Sequence, residues 1–427
     1  METIVIVGGG AGGLELATRL GEALGRNGRA RIVLVDRYPT HFWKPLLHTV
    51  ASGKLDPQVH QVEYAAQAAD HGFEFICGEV QRVERASRTL HLGPWRSDDG
   101  AELLPGRSLQ YDKLVLACGS VTNFFNIPGA AENSLTLDNV YDAEVFRKRF
   151  LACCMQASVT RGGVHIVIVG GGATGVELAA ELHHTVRTLA HYKLHTLDPA
   201  RDVRISIIER SGRLLPQLHP YVSRRAERYL RRMGIEVCTD TAVARVDAGV
   251  VCDSAGGRHA SDVTVWAAGV EAPPVCATLG VPLNRINQII VTPELRTESD
   301  AHVYAIGDCA SQVCPSNGAA APPRAQVAHQ QAQFLAEQLA SPARAALPAF
   351  RYRDYGSLVS LGPFAAVGVL SGGMRKREML VGGAAARLLY GLMYRRHIMS
   401  LQGFLRMAAQ TLAHWIRSKV TPPVKLH

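Results

Sequence analysis

The stretch Ile4-Val5-Ile6-Val7-Gly8-Gly9-Gly10-Ala11-Gly12-Gly13-Leu14-Glu15-Leu16-Ala17 decides the fold class. Four β-branched residues in a row read as a buried strand, and the apolar run to Leu24 reads as a helix. The glycines between them, Gly12 included, have separate duties. Gly8 permits the tight turn, Gly10 lets the backbone approach a pyrophosphate, and Gly13 lets helix and strand pack closely. A helix beginning there presents its positive end to phosphate. The next strand, Ile32–Val35, ends on Asp36, where a carboxylate can accept hydrogen bonds from ribose hydroxyls.

The same pattern returns. Val164–Val169 leads into Gly170-Gly171-Gly172-Ala173-Thr174-Gly175, then the helical run Val176–Leu182, then Val203–Ile208 and Glu209. Gly170, Gly172 and Gly175 take the three glycine roles. The acid lies roughly 34 residues beyond the last glycine, where about 20 is usual. His183–Arg201 accounts for the excess as an extended helix and a loop broken by Pro199. A carboxylate at Glu209 repels a 2′-phosphate, so NADH is expected over NADPH, although Arg210 beside it works the other way. Two such units imply two dinucleotides, and a flavin stacked on a nicotinamide is the pairing that lets hydride pass. The fold class is therefore α/β, with two Rossmann-like dinucleotide-binding domains.

Three further strand-like segments end on small residues, which permit close approach of a cofactor. Lys113–Ala117 leads to Cys118-Gly119-Ser120, Val263–Trp266 to Ala267-Ala268-Gly269, and Val303–Ile306 to Gly307-Asp308. Asp308 is the candidate partner for ribitol hydroxyls.

With these motifs in place the chain resembles the type II NADH:quinone oxidoreductases, single-chain respiratory dehydrogenases that pump no protons. The resemblance rests on Gly8–Gly13, His41-Phe42-Trp43-Lys44-Pro45-Leu46-Leu47-His48, Gly119–Asn123, Gly170–Glu177, Val265–Gly269 and Ala305–Ala310. Most specific is Pro322-Pro323-Arg324-Ala325-Gln326-Val327-Ala328-His329-Gln330, which fits that family's quinone motif. The resemblance implies that the first unit holds FAD through Gly8, Gly10, Gly12, Gly13, Asp36, Lys44, Val80, Gly119, Gly307, Asp308, Ala325 and Gln326. It implies NADH at Gly170, Gly172, Gly175, Glu177, Glu209, Ala268 and Gly269. Gln326 and Gln330, four apart on one helix face, are the implied quinone ligands. Glu177 is the implied link between nicotinamide and quinone sites or a proton relay, and Lys376 an implied cation near reduced flavin.

Nine cysteines show no regular spacing and no C-x-x-C, so no metal site is expected. The formal charge is +9, and residues from Met374 onward hold ten Lys/Arg against Glu378 alone, leaving the rest neutral. On a helical wheel Leu401, Phe404, Leu405, Ala408, Leu412, Trp415 and Ile416 share one side, opposite Arg406, Gln410, His414 and Arg417. Ala384–Arg396 is a companion helix. Such a tail reads as a C-terminal helical membrane-binding segment drawn to an anionic surface. A seam of Leu and Phe without stacking platforms argues against nucleic acid. The uncharged run Ser357–Met374 reads as two strands joined by Gly362-Pro363, so no bilayer crossing is expected, nor a signal peptide before the strand at Ile4.

The expected organisation is an FAD-binding domain from residues 1–120 and 285–382, an NADH-binding domain at 121–284, and membrane-anchoring helices at 383–427. The expected partners are a quinone (ubiquinone or menaquinone) and the cytoplasmic face of the inner (plasma) membrane, with a homodimer left open. Two other readings remain. A sulfide:quinone oxidoreductase shares the fold but needs cysteines flanking the flavin, and no suitable pair is evident although Cys309 adjoins Asp308. An NADH-sensing flavoprotein would bind both cofactors without much turnover.

Overall fold

The computed structural model describes all residues except 98–99, 161–162, 194–196, 314–317, 319, 342–347, 364, 372–377 and 426–427. The described chain groups into two compact units. The first comprises Met1–Trp43, His60–Val121 and Val270–Arg353; the second comprises Lys44–Val59, Thr122–Gly269 and Asp354–His427. These lines fall elsewhere than the cofactor-based boundaries: residues 270–284 group with the first unit, and 44–59 and 354–382 with the second.

The first unit is built on an eight-stranded sheet. In spatial order its strands are Ala310–Gln312, Ile289–Val291, Arg296–Thr297, Asp300–Ala305, Lys113–Leu116, Glu2–Val7, Ala30–Asp36 and Glu74–Cys77. Glu2–Val7 pairs in parallel with both neighbours, setting Val7 opposite Val35 and Leu116. Ile4, Val5 and Ile6 are fully buried, which is why this strand is apolar throughout and does not alternate. Helices Ala11–Leu20 and Ala325–Ala340 pack against one another. A small antiparallel sheet of Arg107–Gln110, Thr89–Leu92 and Val80–Glu84 completes the unit's main elements.

The second unit repeats the central arrangement. Its parallel sheet runs Glu236–Cys238, Val203–Ile208, Val164–Val169 and Val263–Trp266. That is the order Glu74–Cys77, Ala30–Asp36, Glu2–Val7 and Lys113–Leu116 translated to new residues, with Val169 opposite Ile208 and Trp266. The duplicated motif is thus a duplicated topology. Helix Ala173–His191 follows the glycine turn and runs well beyond Leu182, as the late acid requires. A second antiparallel sheet, Gly356–Ser360, Ala366–Ser371 and Glu378–Gly382, contains the two strands expected in the uncharged run.

The tail departs from its single apolar wheel. Helix Gly383–Val420 is broken at Gly403, whose φ of 80° and ψ of 172° are not helical. The wheel assumes one unbroken helix, and the break turns Leu401 away from Leu405. Before it, Ala386, Ile398 and Leu401 are buried in the unit; after it, Phe404, Leu405, Leu412, Trp415 and Ile416 are exposed, Leu405 by 82%. Among the described residues no helix is long and apolar enough to cross a membrane.

Candidate active site

In the first unit the glycine turn is shaped from three sides. Gly8 has φ +99°, and a Cβ there would lie 2.5 Å from the Ala117 carbonyl oxygen; a Cβ on Gly13 would lie 1.8 Å from that of Gly8. Neither position tolerates a side chain. Gly10, by contrast, meets nothing within 4 Å, so its backbone faces open space at the start of helix Ala11–Leu20. A pyrophosphate needs that opening. The Gly9 N–H donates to Asp36 Oδ2 at 2.6 Å, and its carbonyl accepts from the Tyr64 hydroxyl at 2.7 Å and lies 2.9 Å from His41 Nδ1. Burial pushes His41 down to about 4, so the ring is neutral and holds the loop as a hydrogen-bond donor. Asp308 accepts from the Ser120 hydroxyl at 2.9 Å, and Gln288 donates to its carbonyl at 2.7 Å. Gly307, at φ +72°, donates its N–H to Gln331 Oε1 at 2.7 Å, and Gly119 also has positive φ at +69°. Gly12 packs close to Ala328, Ala325 opens its helix and Val80 begins the strand Val80–Glu84. Lys44 begins the turn Lys44–Leu46 and groups with the second unit.

The second cradle repeats these contacts. Gly170 (φ +112°) would place a Cβ 2.4 Å from the Ala267 carbonyl oxygen and close to the Ala268 Cα; Gly175 would place one 2.1 Å from that of Gly170; Gly172 meets nothing within 4 Å. Glu209 accepts from the Gly171 N–H at 2.6 Å and from the Ser211 N–H at 2.7 Å. Its carboxylate therefore ends the strand beside the phosphate turn, as Asp36 does in the first unit. A Cβ on Gly269 would strike the Phe125 ring at 2.5 Å.

Glu177 sits in the first turns of helix Ala173–His191 and is 6% exposed. Its Oε1 accepts the Ser360 N–H at 2.8 Å, Oε2 lies 3.3 Å from His48 Nδ1, and the Tyr390 hydroxyl also bonds to it. Burial raises Glu177 to about 8, against the Ser360 and Tyr390 hydrogen bonds that hold it down, and the neighbouring Glu181 pushes the same way as burial. Burial lowers His48 to about 4. Near neutral pH this pair is a protonated acid beside a neutral imidazole. Glu181, one turn along, is neutralised instead by Lys54 at 2.6 Å. Of two acids four residues apart on one buried face, Glu181 has the Lys54 ammonium in contact and Glu177 has the neutral donors of Ser360 and Tyr390.

Residues 2–332 match the pyridine nucleotide-disulphide oxidoreductase family. The type II NADH:quinone oxidoreductase of Haemophilus influenzae is 38% identical over 446 residues, covering 100% of both chains. The demethylphylloquinone reductase of Synechocystis is 29% identical, covering 97% of this chain and 98% of its own. The chain belongs to the type II NADH:quinone oxidoreductases. Among solved structures, that of NDH2 from Plasmodium falciparum in complex with NADH superimposes with a TM-score of 0.83 over 99% of this chain and 100% of its own, at 20% identity. The sulfide:quinone oxidoreductase of Aquifex aeolicus reaches 0.74 over 99% of this chain and 96% of its own, at 19%, which is a likeness of fold.

For a type II enzyme, the residues named from the quinone motif divide in an unexpected way. Gln330 Nε2 donates to the Arg353 carbonyl at 2.8 Å and Gln330 Oε1 accepts the Arg353 N–H at 3.0 Å. Both ends of that amide are engaged with backbone, whereas i, i+4 spacing placed it beside Gln326 as a ligand. Gln326 is half-buried in the first turn of helix Ala325–Ala340. Lys376 lies outside the described residues. His48, Lys54, Glu181, Ser360, Arg387 and Tyr390, which build the Glu177 environment, are absent from the sequence-based site. A signal was present for one pair: Glu177 and Glu181 on one helix face demand either a cation or a proton. Cysteine grouping was also missed. Cys118, Cys276 and Cys309 lie together in the first unit, although 158 and 33 residues separate them along the chain.

Proposed function

We propose that the chain oxidises NADH at non-covalently bound FAD and passes two electrons to a membrane quinone, ubiquinone or menaquinone, without pumping protons. The observation that carries this reading is the doubled cradle: two open glycine turns, each closed by its own strand-terminal acid, in a chain related end to end to a type II enzyme. FAD belongs to residues of about 1–120 and 285–382 and NADH to about 121–284, with the helices from 383 onward at an anionic, cytoplasmic membrane face. When bound, FAD accepts hydride from NADH and returns the electrons to quinone.

The protein's own groups do the rest. Gly10 and Gly172 leave room for pyrophosphates at helix N-termini, whose N–H groups favour the charge. Glu209 stands where the ribose hydroxyls bind and repels an added phosphate. Asp308, with Gly307 and Ser120, meets the ribityl side. Gln326, in the first turn of its helix, addresses the quinone, and Gln330 fixes the chain at Arg353. Quinone reduction consumes two protons. Glu177 holds one near neutral pH, with Oε1 occupied by the Ser360 N–H and Oε2 turned towards His48. A group titrating near operating pH is suited to giving and regaining a proton.

Anaerobic stopped-flow mixing tests the reading. NADH should bleach the flavin absorbance, and a short-chain quinone should restore it at a rate that supports turnover. Flavin that NADH leaves oxidised would overturn the assignment, and flavin that quinone fails to reoxidise would favour the NADH-sensing reading.

A further inference from the structure

Within the second unit, His48 lies in the short helix Leu47–Ala51 and is 3% exposed. Its Nδ1 stands 3.3 Å from Glu177 Oε2. Around this pair are Glu181 from helix Ala173–His191, Lys54 from the segment of His48 itself, and Arg387 and Tyr390 from helix Gly383–Val420. Each of these has a partner. Lys54 holds Glu181 at 2.6 Å, Tyr390 bonds to Glu177, and Arg387 Nη1 donates to the Ser360 hydroxyl at 3.4 Å. The far nitrogen of the imidazole is the exception. His48 Nε2 is buried, and among the described residues it has no hydrogen-bond partner. Packing alone does not call for an imidazole here, since an apolar ring would fill the space without burying an unpaired polar atom. An unpaired nitrogen in polar surroundings is where a buried water is ordinarily held. The Lys54 side chain is 17% exposed, so the cluster reaches solvent.

We propose that His48 reloads Glu177 with its proton, taking one from a bound water at Nε2 and passing one from Nδ1 to Glu177 Oε2. The inference rests on the reading of Glu177 as a proton donor in quinone reduction, and deepens it. Once Glu177 has given up its proton, its carboxylate accepts the Nδ1–H, which leaves Nε2 as a bare acceptor. Refilling forms an N–H bond at Nε2, breaks one at Nδ1 and forms an O–H bond at Oε2. The water recovers its proton from bulk solvent, and no electrons move. The ring returns to its first tautomer by exchanging its proton with the same water. Burial holds the ring down to about 4, and Arg387 and Lys54 also oppose its charge, whereas Glu181 and the Pro45 carbonyl favour it. At pH 7 only about one ring in a thousand is then charged. Entry at one nitrogen and exit at the other are therefore concerted, and His48 conducts a proton without holding a charge. The Ser360 N–H on Oε1 leaves Oε2 as the receiving atom. His48 acts through Glu177 and is a positioning residue, not one that meets the quinone.

The test uses flavin-loaded full-length protein in anaerobic stopped flow, with NADH for the reductive half and a short-chain quinone for the oxidative half. His48→Gln keeps hydrogen-bonding groups but cannot move a proton across a ring. It should slow flavin reoxidation by about tenfold or more and leave flavin reduction within about twofold of the parent, because hydride arrives without a proton from this cluster. In His48→Ala, added imidazole should restore reoxidation and leave reduction unchanged. Equal losses in both halves, or no rescue by imidazole, overturn the relay. Glu177→Gln separates the two readings. If it slows reoxidation while His48→Gln does not, the relay alone fails; if it reoxidises at the parental rate, the proton-donor role of Glu177 fails and the relay with it. Should neither His48 variant retain flavin, the parent protein decides. High-resolution density should show a water within about 3.2 Å of Nε2, and a protein group bonded there overturns the proposal.

Discussion

Replacing Glu177 by Gln should make the protein progressively more stable than the parent as pH rises. In the fold the carboxyl is raised from 4.5 to about 8, chiefly by burial. The folded state therefore binds a proton that the unfolded state releases between these values. Stability is lost as pH rises through that window, at one proton or about 1.4 kcal/mol per pH unit. From pH 5 to pH 8 the accumulated difference is roughly 4 kcal/mol. Glutamine keeps the acceptor for the Ser360 N–H at 2.8 Å but never has to ionise. His48 works in the opposite sense: its neutral form is favoured by burial, so its contribution is lost as pH falls from 6.5 towards 4. That slope is common to parent and variant and cancels in their difference. Urea unfolding midpoints for both proteins at half-unit steps from pH 5 to 8.5 measure the effect. Parallel curves would refute the reasoning. A variant that loses ground with rising pH would show that Glu177 is ionised and paired in the fold.

Glu209→Gln should narrow the preference for NADH over NADPH, read as the ratio of kcat/KM values; comparable values in the parent would exclude charge repulsion as its source. Gln326→Ala should slow quinone-driven reoxidation of the flavin more than its reduction by NADH, in single-turnover traces. Gly13→Ala should abolish flavin retention or folding, because its Cβ would fall 1.8 Å from the Gly8 carbonyl oxygen, whereas Gly28→Ala, with open space around it but φ of +64°, should be strained by only about 1 kcal/mol. Leu405→Ser combined with Trp415→Ser should alter stability by less than about 0.5 kcal/mol, since both side chains are exposed. It should still weaken binding to anionic vesicles and leave the residue salt-sensitive.

Legibility followed sequence distance. Gly8–Asp36 and Gly170–Glu209 are local constructions, in which strand, turn, helix and acid follow one another, so a reader of the chain can assemble each cradle unaided. Glu177 could be found but not understood, because Ser360 and Tyr390 reach it from 183 and 213 residues away. The tail was read as one surface because a helical wheel assumes a continuous axis, and Gly403 interrupts it. The partner of Gln330 was out of reach for a related reason. Spacing shows which way a side chain faces, but Arg353, its partner, lies 23 residues beyond. The three thiols carried no pattern at all, since they meet only when the strand end, the short helix and the turn are all in place.

The end of the chain does not trail free after the exposed helix. Val424 is buried, its N–H lies 3.4 Å from the Tyr192 hydroxyl, the Lys425 N–H donates to the Gly53 carbonyl at 3.0 Å, and Lys425 pairs with Asp56. The stretch from Phe404 to Val420 is therefore a bucket handle, hinged at Gly403 and latched at Val424 and Lys425. A handle fixed at both ends cannot be drawn out from the body; a load on it can only tilt what it is fastened to. Its latch lies on the Lys44–Val59 segment, which also supplies His48 and Lys54 to the neighbourhood of Glu177 and Glu181. A load on the handle is thus delivered to the backbone that carries His48 and Lys54, the contacts of Glu177 and Glu181.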